Sequence, residues 1–425
     1  MKKLIKSKER GSAIPLAVVA VVILLALGTG LLSLGLNSRT FSTRTTSDII
    51  ARCAADAGLA MALYQMNQKL AVKPWSSGSL PTAKETNLLH CDATYTYDVT
   101  GDLNKGFIMA AVGKDDNAVR AVYVTLGLKG LFEHAILTKG SLVLKSNTVI
   151  DGYNSADPSD TEFKVNIGTQ STADSMVVLN SGVDINGDVL VGLGGNPDTV
   201  IKDLGATTGD QLGGTENDPL PTITPPATLI DKMTDIAAKS ATITLTPADS
   251  GQYSNISLAS SKDAGILEID GGDVVLYITG DIDLGNACEI IVKDNSTLTL
   301  YVDGDIITGN GSSIGTESPT KDATTLELYG TGGAGQNLDI KAKNEWTGVI
   351  YAPNAHIDLY AGGDAYGAIV AGSFEFKNGG NYYYDEALRE VSMEDEGISF
   401  VIERWYEGSP TFSTKDIITT PIKTK

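Results

Sequence analysis

The sequence predicts an α+β to mainly β protein: one long N-terminal helix that is transmembrane and then amphipathic, a small antiparallel sheet, and a right-handed parallel β-helix, or solenoid. Three observations carry this. An uncharged apolar run, Ala13–Leu36, leads into an Ala-rich stretch with helical periodicity. Residues 92–128 then alternate in the two-residue period of strands. Further on, a Gly-, Asp- and Asn-rich region repeats itself at a fixed offset. An antiparallel β-sandwich head is the alternative, because it also presents many short strands with turn signals.

The first element begins with a basic leader. Lys2, Lys3, Lys6, Lys8 and Arg10 stand against one acid, Glu9. The 24 apolar residues that follow reach ~36 Å as a helix, enough to cross a ~30 Å hydrocarbon core. Pro15 costs no hydrogen bond in a first turn, and Gly28, Gly30 and Gly35 permit close helix contact. The leader charge keeps residues 1–11 cytoplasmic and sends everything after Leu36 outward. Beyond it, Ile50, Ala54, Ala57, Met61 and Tyr64 recur at helical spacing and are expected to form the buried face. One nearly continuous helix from about Ala13 to Leu70 is expected, stopped by Lys73-Pro74-Trp75.

Two strands within 92–128 are joined through Lys114-Asp115-Asp116-Asn117, a hairpin turn. The repeats then begin. LYITGDIDLGN (276–286) returns as LYVDGDIITGN (300–310), and Leu328-Tyr329 opens a looser third copy. IYAPNAHIDL (350–359) matches IVAGSFEFKN (369–378), with fainter copies at 136–147 and 177–187. Units of this length cannot bury their apolar faces alone, so they stack, and Asn286 and Asn310 are expected to ladder at equivalent corners. Residues 196–250 interrupt the pattern as a Pro-rich excursion with one short helix in ATLIDKMTDIAAKS. The tail, with a helix at Asp385–Arg389 and a strand in GISFVIERWYEG, is expected to cap the last coil.

The net charge of −20 excludes a nucleic-acid binder, which needs a basic footprint. Three cysteines, Cys53, Cys91 and Cys288, make no framework; a Cys91–Cys288 bridge and free thiols both stand open. Paired-carboxylate catalysis is suggested by Asp281, Asp283, Asp303, Asp305 and Glu375. The plainer reading prevails: Asp follows Gly at solvated corners, and no local constellation joins His, Arg or Lys to these acids. No catalytic residue, metal site, cofactor or enzymatic activity is therefore expected. Asp151, Asn154, Asp157 and Asp160 offer oxygen ligands without a calcium-loop spacing and read as a polar loop. Tyr382, Tyr383 and Tyr384, with Trp405 and Tyr406, form a candidate aromatic surface for a glycan or partner.

The leader and apolar run, ERGSAIPLAVVAVVILLALGTGLL, with ARCAADAGLAMAL behind it, resemble the N-terminus of PilX-type minor pilins. That family continues its helix into a motif close to AAEAGL, which here is Ala54-Ala55-Asp56-Ala57-Gly58-Leu59. The resemblance implies cleavage by prepilin peptidase after Gly11, a mature start at Ser12, and an assembly helix that includes Pro15 and Leu16. Leu16 stands where major pilins carry glutamate, and Ser12 where Phe or Met is usual; tip-forming relatives often lack the glutamate. WTGVIYAPNAHIDL (346–359) and YGAIVAGSFEF (366–376) are similar to a β-helical domain of unknown function found behind such N-termini.

The resemblance divides the chain into a prepilin-type leader (1–11), a pilin helix (12–72), a small α+β neck (73–130), a β-solenoid (131–385, with the excursion at 196–250) and a C-terminal cap (386–425). It implies a minor pilin or pseudopilin of a type IV pilus or type II secretion-like filament, placed at its tip by a bulky head. Its partners would be prepilin peptidase, other pilin subunits and the bacterial inner membrane, which the helix spans once before assembly carries the exported domain outside. The alternative is a cell-surface adhesin or envelope scaffold on an uncleaved anchor.

Overall fold

The computed structural model describes residues 13–76, 78–102, 106–157, 159, 163–214, 220–393 and 395–408. The chain divides into two compact units: the residues up to Gly127 together with those from Phe400 onward, and Leu128–Ser399. In sequence, the second unit is thus an insertion before the last strand of the first.

The first unit is built on one unbroken helix, Ala13–Leu70. Thr29, Thr40, Thr43, Thr45 and Thr46 are held within it by hydroxyls that donate to carbonyls one turn back. A five-stranded sheet follows, in the order Thr82–Asn87, Thr94–Asp102, Gly106–Asp115, Ala118–Lys129 and Ser399–Gly408. The two strands of the expected hairpin are antiparallel and turn at Asp116-Asn117, with Asp116 in the left-handed region. The last strand is fixed by Asn67, whose amide donates to the Phe400 carbonyl at 3.2 Å and whose Oδ1 accepts from the Phe400 N–H at 2.7 Å. Trp75, Phe107 and Phe400 close an edge-to-face aromatic cluster beside it. The C-terminal strand therefore completes this sheet rather than capping the repeats.

In the second unit every described strand pairing is parallel, unlike the antiparallel pairing of a β-sandwich. Aliphatic residues stack in register from strand to strand. One buried column runs Leu276, Leu300, Leu328, Ile350, Ile369, Ile136, Ile167, Val189. A second runs Ile282, Ile306, Leu338, Ile357, Phe374, Leu142, Val177, Ile201. A third sheet aligns Leu267, Ile290 and Ile314. The 24-residue repeat is the pairing register itself: Tyr277 lies beside Tyr301 and Ile282 beside Ile306.

The columns do not follow chain order. The strand Ala365–Phe376 pairs forward with Ile136–Thr138 and Leu142–Leu144, and Gly380–Asp385 pairs with Thr148–Tyr153. The chain thus enters in the middle of the stack and runs outward to residue 214. It resumes at the far end near residue 236 and winds back to meet its own first strands. This sharpens the excursion. Residues 201–203, 211–214, 236–239 and 242–245 are paired strands, so among the described residues the interruption narrows to about 220–235. The helix expected in 227–240 is absent; its apolar alternation at Ile236 and Ala238 is used by a strand, Ile236–Lys239, with those two side chains inward. The returning segment is tied to the stack where Tyr351 donates to the Pro221 carbonyl at 2.7 Å. Glu386–Arg389 is a single 3-10 turn capped by Asp385.

Candidate functional site

Gly11 and Ser12 lie outside the described residues. From Ile14 to Leu36 the helix is exposed on every side, and Pro15 and Leu16 lie on this bare segment. Among the described residues it is the one helix long and apolar enough to cross a membrane.

The Ala54–Leu59 motif has a structural role that the sequence period placed wrongly. The buried face is Ala51, Ala54, Ala55, Gly58, Leu59, Ala62, Met66 and Leu70. Of the expected face only Ala54 is fully buried; Met61 is 40% and Tyr64 59% exposed. Small residues face inward because the sheet comes very close. A Cβ added at Gly113 would lie 1.9 Å from the Ala51 carbonyl oxygen, and one at Gly58 would lie 3.2 Å from the Tyr95 ring. Asp56 is exposed and Ala57 half-buried. Nearby, Arg120 pairs with Asp48, and Arg52 lies 5.6 Å over the Trp405 ring.

The corner acids are occupied by backbone. Asp281 Oδ1 accepts the Asp305 N–H at 2.8 Å, and Asp305 Oδ1 accepts the Asn337 N–H at 2.8 Å. Asn255 Oδ1 accepts the Asp281 N–H at 3.0 Å, and Asn286 Oδ1 accepts the Asn310 N–H at 2.9 Å. The Asn ladder exists, with side chain bonding to the next strand's backbone. Gly304 precedes its Asp because a Cβ there would meet Asp281 Oδ1 at 2.3 Å. Asp303 accepts from the Tyr277 and Thr331 hydroxyls. In the polar loop, Asn154 Oδ1 accepts from Ala156 and Asp157 N–H, and Asp157 from Ser159; Asp160 lies outside the described residues. The three cysteines are free thiols, with Cys288 buried. Tyr382 and Tyr384 are fully buried and line no surface; Tyr383 stacks on Tyr366 at 5.1 Å.

One constellation was missed. On the outer face of three adjacent strands, Asp339, Asp358 and Glu375 stand in register. His356 pairs with Ser373, and its Nδ1 lies 2.6 Å from Ser373 Oγ. Its Nε2 lies 3.0 Å from Asp358 Oδ1, a buried atom that has no hydrogen-bond partner within the chain. Lys377 holds Asp358 Oδ2 at 3.2 Å and Glu375 Oε2 at 2.6 Å, and Lys145 also binds Glu375. Burial works against the charge of Glu375, but the hydrogen bonds from Lys145 and Lys377 outweigh it and hold its carboxyl below the usual range. The repeat could have revealed this cluster, since 350–359 aligns with 369–378. A bulge between Ala352 and His356 shortens the local offset from 19 to 17 residues, however, and that alignment would set His356 against Glu375.

A second acidic locus is a cavity of about 450 Å³ lined by Leu131, Glu327, Tyr329, Leu388, Asp395 and Glu396. Burial, with Asp395 and Glu396 nearby, pushes the Glu327 carboxyl up to about 7 against a hydrogen bond from Thr299.

A family model described as a domain of unknown function (DUF7305) matches residues 208–391, less than half the chain but including both C-terminal stretches quoted above. No curated protein matches the chain. Among solved structures, the competence-associated pilin ComZ from Thermus thermophilus matches at 12% identity, over 85% of this chain and 98% of that one, with a TM-score of 0.24. A superposition this loose carries no argument about fold or role.

Proposed function

We propose that the chain is a pilin-like structural subunit, a minor pilin or pseudopilin cut by prepilin peptidase after Gly11 and placed at the tip of a type IV pilus or type II secretion-like filament. One observation carries the reading. A single helix has two halves with different fates: Ile14–Leu36 has no partner within the chain, whereas Ala51–Leu70 is packed on its own sheet. A plain anchor needs only the first half. A helix continuous through both is a lever that fixes an exported domain to whatever the bare half binds, first the inner membrane and then neighbouring subunit helices. The resemblance of 9–32 and 51–63 to PilX-type N-termini supports the same reading.

The head is then a right-handed parallel β-solenoid. Its two in-register parallel sheets and repeat-length offsets support stacked coils. A head inserted as a whole between two strands of the neck is bulky for a filament shaft, which favours the tip.

Fractionation tests the role. Shearing is expected to release the protein together with surface filaments, and loss of the prepilin peptidase to confine it to membranes. Recovery in membranes alone, indifferent to the assembly genes, would instead make it an anchored adhesin or envelope scaffold.

A further inference from the structure

We propose that Ser373, His356 and Asp358 form a nucleophile–base–acid array that cleaves acyl esters on the outer face of the head, independently of any role in assembly. Three features point there. First, the Ser373 hydroxyl is within 2.6 Å of an imidazole nitrogen, the reach required of a general base. Second, the opposite ring nitrogen lies 3.0 Å from a buried carboxylate oxygen that has no hydrogen-bond partner within the chain, while the other oxygen of that carboxylate is anchored by Lys377. The order is hydroxyl, imidazole, carboxylate, with the two ring nitrogens exchanged relative to the usual arrangement. Third, the three groups are carried by adjacent strands in fixed register, and Asp358 is locked from beyond by Lys377, Glu375 and Lys145. Rigid strands hold such a site better than loops do.

The same corner supplies positive charge. Lys139, on the strand connection that follows in the stack, donates to Asn354 Oδ1 at 2.9 Å. Its ammonium is the positive group there that would stabilise charge developing on a carbonyl oxygen; the Asn354 amide nitrogen is turned to the Gly332 carbonyl at 3.5 Å. His356 and Ser373 are only partly covered. The face is open, so the alcohol side of an ester extends into solvent.

The step balances without a co-reactant. Ser373 Oγ bonds to the acyl carbon as its proton passes to His356 Nδ1. The ester C–O bond breaks, and the alcohol leaves with that proton. Water then attacks the acyl-serine, gives a proton to the same nitrogen, and releases the acid and the free hydroxyl.

The test uses the full chain in detergent with a fluorophosphonate probe and, separately, p-nitrophenyl acetate. We expect one adduct per chain by intact mass, mapped to Ser373, and ester turnover lost with it. Ser373→Ala removes both; His356→Gln slows both by about 100-fold or more. Thermal unfolding verifies that each variant stays folded. Absence of an adduct on folded wild-type protein overturns the proposal. So does labelling that persists in Ser373→Ala, or variants that change only the unfolding midpoint, which is what a purely structural ion network would give.

Discussion

Ile369 lies beside Ile136 in parallel register, although most of the inserted unit separates them in sequence. This pair and its neighbour, Phe374 beside Leu142, form the seam at which the end of the winding chain meets its beginning. In a simple sequential array each repeat contacts its chain neighbours, and losing the last repeat costs little elsewhere. Here the last strands are central. A chain stopped after Asp364 should strip 136–153 of their partners on one side and cut the stack in two, so both 136–214 and 236–361 should become protease-sensitive. Digestion confined to the new terminus would contradict the seam.

Helix-to-sheet distance sets a second expectation. Ala at Gly113 would place a methyl group against the Ala51 carbonyl and the Ala55 N–H at 2.4 Å, both backbone, which cannot yield cheaply. Destabilisation of about 3 kcal/mol is expected. Ala at Gly58 meets only Tyr95 and Ala111 side chains at 3.2–3.4 Å. There the strain is offset by about 1 kcal/mol of helix propensity, and stability should change little. Denaturant midpoints of the two variants check the contrast; equal effects would mean that the close approach is not at Gly113.

Much of this was legible beforehand, for physical reasons that differ by region. The helix followed from hydropathy and the stop at Lys73-Pro74-Trp75, and the Leu276/Leu300 register followed from an uninterrupted 24-residue repeat. The helix face did not, because size outweighs hydrophobicity where backbones nearly touch: alanines turn inward and Tyr64 is left outside. The order of strands did not, because a local repeat says nothing about which end of a stack a chain enters. The Ser373–His356 contact was hidden by one bulge.

Glu327 predicts a pH dependence. Its carboxyl is near its ordinary value in the unfolded chain and raised to about 7 in the folded one, chiefly by burial. The folded state therefore holds the proton more tightly. The stabilisation is full below about pH 4.5 and is lost as pH rises through about 7, a change of about 3 kcal/mol. Asp395 and Glu396 face the same group and keep its charge unfavourable, against hydrogen bonds from Thr299 and Tyr329 that favour it. Glu327→Gln should be more stable than wild type at pH 8 and lose that advantage by pH 4.5. A stability difference that stays constant across this range would rule the effect out.

The corner ladder separates shape from charge. Asp281→Asn keeps the oxygen that accepts the Asp305 N–H, and should be nearly neutral. Asp281→Ala leaves that N–H without its partner and should cost about 1 kcal/mol. Unfolding midpoints of the pair decide it; equal losses would mean that the carboxylate charge, not the acceptor, holds the corner.

The most direct measurement concerns the N-terminus. Intact mass and N-terminal sequencing of protein from cells with an active prepilin peptidase should give a chain beginning at Ser12 that retains the whole apolar helix. An uncut leader, or a start at any other residue, would contradict the pilin-like role.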